Sequence, residues 1–155
     1  MAACEKSLLK MQMKKFALSA TPIDPDALLR AIEGHGIGAV VTFEGRVRDH
    51  NEGRAVGGLA YQAYAELAEA EGTKIIEEAH ARFGVAQALC VHRVGELAIG
   101  ELAVWVGVGA AHRDEAFIAC RYVIDEVKKR VPIWKHERYA GGEAKWLHPG
   151  GDGAG

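Results

Sequence analysis

The chain is expected to adopt an α+β fold, a mostly antiparallel sheet with helices packed against one face. Three observations lead there. Strand-like and helix-like segments follow one another as β-α-β-β-α-β-β-α-β-β, which is not the strict alternation that builds a parallel sheet. Two segments repeat apolar residues at helical spacing with charges opposite. Near the C-terminus, Gly141-Gly142 separates two strand-like runs at hairpin distance. With 155 residues, 49% of them apolar, the chain can bury one core without disulfide or metal staples.

The elements follow in order. Residues 16–20 form a short strand. Asp24 then offers an N-cap with Pro25 in the first turn, and this helix ends before Gly34. Residues 38–47 are rich in β-branched and aromatic side chains and predict a strand. Residues 48–56 are polar, with Asn51 and Gly53, and predict a mobile loop; residues 57–64 are the next strand. A helix over 67–83 places Leu67, Ala70, Ile75, Ala79 and Phe83 on its apolar face and stops at Gly84. Residues 86–93 and 101–109 are apolar strands joined by a long turn over 94–100. The second long helix starts near Arg113, carries a stripe of Phe117, Cys120, Ile124, Val127 and Val131, and is closed by Pro132. Residues 133–139 and 145–147 complete the hairpin. The domain boundaries predicted are a flexible extension over 1–13, one domain over 14–147 and a disordered glycine-rich tail over 148–155.

Net charge is −2, so affinity for an anion must come from local clustering of cations. Lys128, Lys129, Arg130, Lys135, Arg138 and Lys145 crowd one region; Arg46, Arg48, His50 and Arg54 form a second group. Cys4, Cys90 and Cys120 are odd in number and lack a C-x-x-C spacing, which argues for a reducing, cytoplasmic setting. Cys90 and Cys120 fall on apolar periodicity and are expected to be buried and inert. No membrane-length apolar run and no signal-peptide core occur, and Met11 and Met13 are alternative starts. The histidines show no metal-ligand spacing, and no phosphate-loop or dinucleotide glycine motif is present, so neither a metal nor a cofactor is expected.

The chemistry-bearing stretch is Val127-Lys128-Lys129-Arg130-Val131-Pro132-Ile133-Trp134-Lys135-His136-Glu137. Like charges held together raise each other's free energy, so one lysine among them loses its proton more easily and becomes a nucleophilic amine. A cation at a helix C-terminus also complements the dipole, which accounts for a lone lysine there. Lys128, however, sits one turn from Ile124 and flanks the apolar stripe, while Pro132 turns the chain so that Lys135 returns towards it. The two amines suit base and anion clamp, or nucleophile and oxyanion stabiliser. His112-Arg113 opens the same helix, either as an imperfect N-cap with a solvated neighbour or as an anion site. Arg46 and Arg48 alternate on one face at a strand end, as a solvated end or a phosphate grip. His92-Arg93 is expected to be structural, holding the following turn; Trp134 and Trp146 are core, interface or stacking residues.

Taken in order, these segments resemble the large, catalytic subunit of molybdopterin synthase. The resemblance rests on Gly38-Ala39-Val40-Val41-Thr42-Phe43-Glu44-Gly45-Arg46-Val47-Arg48, on His50-Asn51, on His92-Arg93-Val94-Gly95-Glu96-Leu97, on Gly107-Val108 with Ala111-His112-Arg113 and Ala116-Phe117, and on Lys128 with Pro132-Ile133-Trp134-Lys135. It implies an α/β-hammerhead fold, a homodimer and a heterotetramer with two copies of a small ubiquitin-like sulfur carrier. It implies transfer of two sulfurs from that partner's C-terminal Gly-Gly thiocarboxylate to cyclic pyranopterin monophosphate, forming the dithiolene of molybdopterin. By position, Lys128 and Lys135 match the catalytic lysines, and Arg48, His112 and Arg113 match substrate- and terminus-binding residues; Arg46, Arg130 and Trp134 are expected to contact the partner's tail. His136 stands where the family carries lysine or arginine. An anionic ester and an anionic thiocarboxylate both call for cations.

Two other functions fit the cation clustering: a dimer that binds a phosphorylated metabolite or nucleic acid without turnover, or a scaffold that recruits a ubiquitin-like protein. The mild acidity argues against nucleic acid. The catalytic reading requires that folding gather Lys128, Lys135, Arg48, His112 and Arg113 into one electropositive cavity.

Overall fold

The computed structural model describes residues 14–148; the extension predicted over 1–13, Cys4 within it and all of the predicted tail except His148 lie outside the described residues. Nine strands and three helices occur among the described residues: β1 (Phe16–Ser19), α1 (Pro25–Ala31), β2 (Ala39–Arg46), β3 (His50–Asn51), β4 (Arg54–Ala63), α2 (Ala65–Phe83), β5 (Gln87–Arg93), β6 (Gly95–Leu97), β7 (Leu102–Ala110), α3 (Arg113–Arg130), β8 (Ile133–Tyr139) and β9 (Ala144–Leu147). One sheet has the order β1-β5-β7-β2, antiparallel except for the parallel β1–β5 pair. The other has the order β3-β4-β8-β9, with β6 also paired to β4, and is antiparallel throughout.

Local chemistry explains the boundaries. The Asp24 carboxylate accepts from the backbone N–H of Asp26 at 3.1 Å and of Ala27 at 3.2 Å, capping α1. Gly84 ends α2 in the left-handed region at φ 61°, where a side chain would be strained. Pro132 lacks the N–H that would continue α3; its carbonyl instead accepts from Tyr64 N–H at 3.1 Å, which fixes the direction in which β8 leaves the helix.

The main core lies between the first sheet and the two long helices. Cys90, Val104, Val106 and Val108 from the sheet meet Ile75, Ile76 and Ala79 of α2 and Ala119, Val123 and Val127 of α3. Each buried Val or Ile contributes about 1.5–3 kcal/mol. Gly72 lets α2 close onto the ring of Phe16, where a Cβ would collide. A smaller cluster of Val47, Leu59, Leu97 and Ala103 joins the two sheets.

Four expectations change in detail. The turn after β5 contains β6, because an extended 95–97 segment satisfies the exposed edge of β4. The loop expected over 48–56 contains a tight hairpin, β3 to β4, turned by Glu52 at φ 51° and Gly53 at φ 76°. Leu67, Ala70 and Phe117 face outward; Ala68 and Gly72 replace the first two on the buried face of α2, and Ala116 and Ala119 take the inner positions of α3. Finally, the helices do not share one face. β7 is apolar on both sides, so Leu89 and Trp105 form a second cluster with Ile32 behind the sheet, and α1 covers it with Leu28 and Ala31.

α2 and α3 are also tied by charge. Arg130 donates to Glu71 at 2.8 Å and to Glu78 at 2.6 Å, and Tyr122 donates to Glu78 at 2.8 Å. The Arg130 guanidinium holds the Glu78 carboxyl at about 2, against an ordinary 4.5. A carboxyl with a lowered folded pKa stabilises the fold above its unfolded value and loses that contribution as pH falls towards its folded value. Thermal melts between pH 4.5 and 2 should therefore show a declining Tm, and Glu78→Gln should flatten part of that decline. The pair is partly exposed, so the effect is small.

Candidate active site

Where the two sheets meet α3, a cavity opens. β2 and the residues after it supply Arg46, Val47 and Arg48; α3 supplies Ile124, Val127 and Lys128; β8 supplies Ile133, Lys135 and Glu137. Tyr61 of β4 and His92 of β5 complete its inner wall. The helix end delivers Lys128, and the reversal at Pro132 returns Lys135 to the same space, as the sequence requires.

Lys128 is half-buried and makes no ion pair among the described residues. Burial lowers its pKa below the ordinary lysine value, and the Lys135 and Arg48 charges push it further down; Asp125 opposes them. Lys135 has a different environment. Its Nζ lies 3.0 Å from Glu137, with both side chains largely buried. Glu137 also accepts from Asn51 Nδ2 at 2.9 Å and from the Tyr139 hydroxyl at 2.7 Å. Burial alone would raise the Glu137 pKa, but these bonds together hold it below the ordinary value. Lys135 is thus held against a carboxylate, while burial and neighbouring cations make the Lys128 ammonium give up its proton more readily than an ordinary lysine does.

Glu137 and Asn51 lie in stretches that the sequence marks but carry no role there, and Tyr139 and Tyr61 are not marked at all. Lys135, Glu137 and Tyr139 alternate along β8 and so share a face, a signal that period-two reading contains. Asn51 is distant in sequence and becomes a partner only through the β3–β4 hairpin. Glu137→Ala should lower the unfolding free energy by about 3 kcal/mol in urea titration, because it leaves buried donors and a buried cation without their acceptor.

The structure separates the other expected site residues. Arg46 and Arg48 line the cavity, with Arg46 paired to Glu44 at 2.7 Å. Arg130 does not line it; one residue past Lys129, it points to the α2 carboxylates that neutralise it. Trp134 lies on the opposite face of β8 from Lys135, as strand alternation demands, and borders a shallow depression with Gln62 and Tyr64. His112 is the N-cap of α3 with no side-chain capping bond, and Arg113 follows it in the first turn. From Arg113 to Lys128 the helix rises about 22 Å, so neither His112 nor Arg113 reaches the cavity of its own chain.

The family model described as MoaE protein matches residues 18–130. The chain belongs to the MoaE family. The match spans β2 through α3 and so includes Arg46, Arg48, His92, His112, Arg113 and Lys128. A molybdopterin synthase catalytic subunit of Pyrococcus abyssi is 45% identical over 129 residues, covering 82% of this chain and 87% of that one. The molybdopterin synthase catalytic subunit of Synechococcus elongatus is 43% identical over 141 residues, covering 90% and 86%. The crystal structure of molybdopterin synthase from Staphylococcus aureus superposes with a TM-score of 0.83 at 34% identity, covering 88% of this chain and 98% of that one. The α+β architecture with curled, mostly antiparallel sheets is therefore the MoaE fold. No described helix is long and apolar enough to cross a membrane.

Proposed function

We propose that this MoaE-family chain is the catalytic subunit of a molybdopterin synthase, acting on cyclic pyranopterin monophosphate with a thiocarboxylated ubiquitin-like partner as sulfur donor. The observation that carries the reading is the meeting of two unequal amines in one cavity: Lys128, half-buried with no ion pair among the described residues, and Lys135, held on Glu137 at 3.0 Å. Arg48 and Lys135 attract the anionic ester and the anionic thiocarboxylate. Each transfer breaks the thiocarboxylate carbon–sulfur bond and a carbon–oxygen bond of the pterin, forms a carbon–sulfur bond on the pterin, and takes the oxygen that returns the partner's terminus as a carboxylate from water. Lys128 serves this step as nucleophile or proton acceptor in its amine form, or as a charge stabiliser in its ammonium form.

His112 and Arg113 enter this scheme through a second copy. They are exposed, and Phe117 and Ile118 beside them are exposed apolar side chains on the first turns of α3. If His112 and Arg113 serve the site at Lys128, a second copy must supply them, and a homodimer that covers Phe117 and Ile118 is the arrangement this reading calls for. The small partner's Gly-Gly tail suits a narrow entrance because glycine carries no side chain.

The test is reconstitution: the purified full chain, thiocarboxylated small partner and cyclic pyranopterin monophosphate, with the dithiolene product measured. Formation of product only when all three are present supports the reading; tight binding of the pterin without product identifies a binding protein instead.

A further inference from the structure

His92 has a defined proton arrangement. Its Nδ1 lies 2.7 Å from the Arg93 carbonyl, and a carbonyl only accepts, so Nδ1 carries the hydrogen. The ring is buried and stays neutral at physiological pH, since burial, and to a lesser degree the Lys128 charge, pulls its pKa down to about 4. Nε2 therefore presents a lone pair at the cavity wall, where it makes no hydrogen bond with a described residue. Tyr61 stands edge-on to the same ring at 4.9 Å, with its hydroxyl likewise unpartnered among the described residues. Burial and Glu137 push its pKa up to about 12, so the hydroxyl stays protonated.

The rest of the polar wall consists of Arg46, Arg48, His50, Lys128 and Lys135, all nitrogen donors when charged, and Glu137, whose carboxylate is already occupied by Asn51, Tyr139 and Lys135. A cavity of cations alone would hold any small anion. A neutral acceptor and a neutral hydroxyl set among Val104, Ile124 and Ile133 add a second kind of recognition.

We propose that His92 Nε2 and the Tyr61 hydroxyl form a neutral subsite that reads N–H and O–H donors on the uncharged part of the ligand, while the cations hold its anionic part. The assignment rests on the proposed substrate: a reduced pterin carries ring N–H and amino donors that match an acceptor of this kind. His92 and Tyr61 are then specificity-determining residues, and a bare phosphate does not need them.

Titration calorimetry on the full chain separates the two parts. The probes are inorganic phosphate, which tests the cations, and cyclic pyranopterin monophosphate, which tests both. Tyr61→Phe and His92→Phe should bind phosphate as the unsubstituted chain does, but bind the pyranopterin about tenfold more weakly, the loss expected for one hydrogen bond. His92→Gln should recover most of that loss, because its amide oxygen reaches the place of Nε2. Tyr61→Phe removes a single oxygen and keeps the test available if His92→Phe does not fold. Undiminished pyranopterin binding by a folded variant overturns the proposal, as does an equal loss for both probes. An unsubstituted chain that binds phosphate but not the pyranopterin ends the functional reading itself and this assignment with it, a result distinct from any difference among variants.

Discussion

Lys128→Ala is expected to reduce sulfur transfer by roughly a thousandfold while leaving the fold intact. The two halves of that expectation have separate causes. Lys128 makes no ion pair or hydrogen bond among the described residues, and the like charges of Lys135 and Arg48 act on it more strongly than the opposing charge of Asp125. Removing it takes away repulsion, so Tm should hold or rise slightly. The chemistry, in contrast, loses the one amine of the cavity that is pushed towards its neutral form. Single-turnover conversion with thiocarboxylated partner, alongside thermal melts, measures both. Lys128→Arg sharpens the result: arginine stays charged, so it rescues a charge-stabilising role and fails to rescue a nucleophile or base. A folded Lys128→Ala chain that forms product at the normal rate would remove Lys128 from the mechanism.

The second large effect concerns the far end of the same helix. His112→Ala and Lys128→Ala chains should each be nearly inactive alone, yet recover activity when co-expressed. If each site takes His112 from one protomer and Lys128 from the other, a mixed dimer holds one complete site of two. Random mixing makes half of the dimers mixed, so activity returns to roughly a quarter of normal. Within one chain, about 22 Å of helix separates the two residues, so complementation is the outcome that geometry demands if both serve one site. Mixed dimers as inactive as their parents would mean that His112 belongs to some other function.

Much of the site was legible before any coordinates. Cations gathered around a helix-ending proline dictate that Lys128 and Lys135 approach each other, because proline ends the helix and the following β-branched residue extends. The alternation of Arg46 and Arg48 dictates a shared side at the strand end, and both line the cavity. Arg130 and Trp134, expected at the partner's tail, stay out of the cavity for two different reasons. A helix turns about 100° per residue, which sends Arg130 to the carboxylates of α2, and a strand alternates faces, which sends Trp134 away from Lys135. His92-Arg93 is expected to hold the following turn; Arg93 does bond the Glu96 carbonyl in it, while His92 Nδ1 bonds the Arg93 carbonyl and leaves the other ring nitrogen to the cavity.

The sequence by itself determined the longer elements, the mostly antiparallel class, the caps of α1 and α2, and the lysine-centred character of the site, since each depends on neighbours within a few residues. Tertiary structure alone decided that Asn51 reaches Glu137, that β7 needs cover on both faces, and that His112 and Arg113 stand a helix length from Lys128. Local stereochemistry is written in short-range pattern, whereas contacts between distant segments follow from which apolar faces bury each other, and that competition is settled only when the whole chain packs.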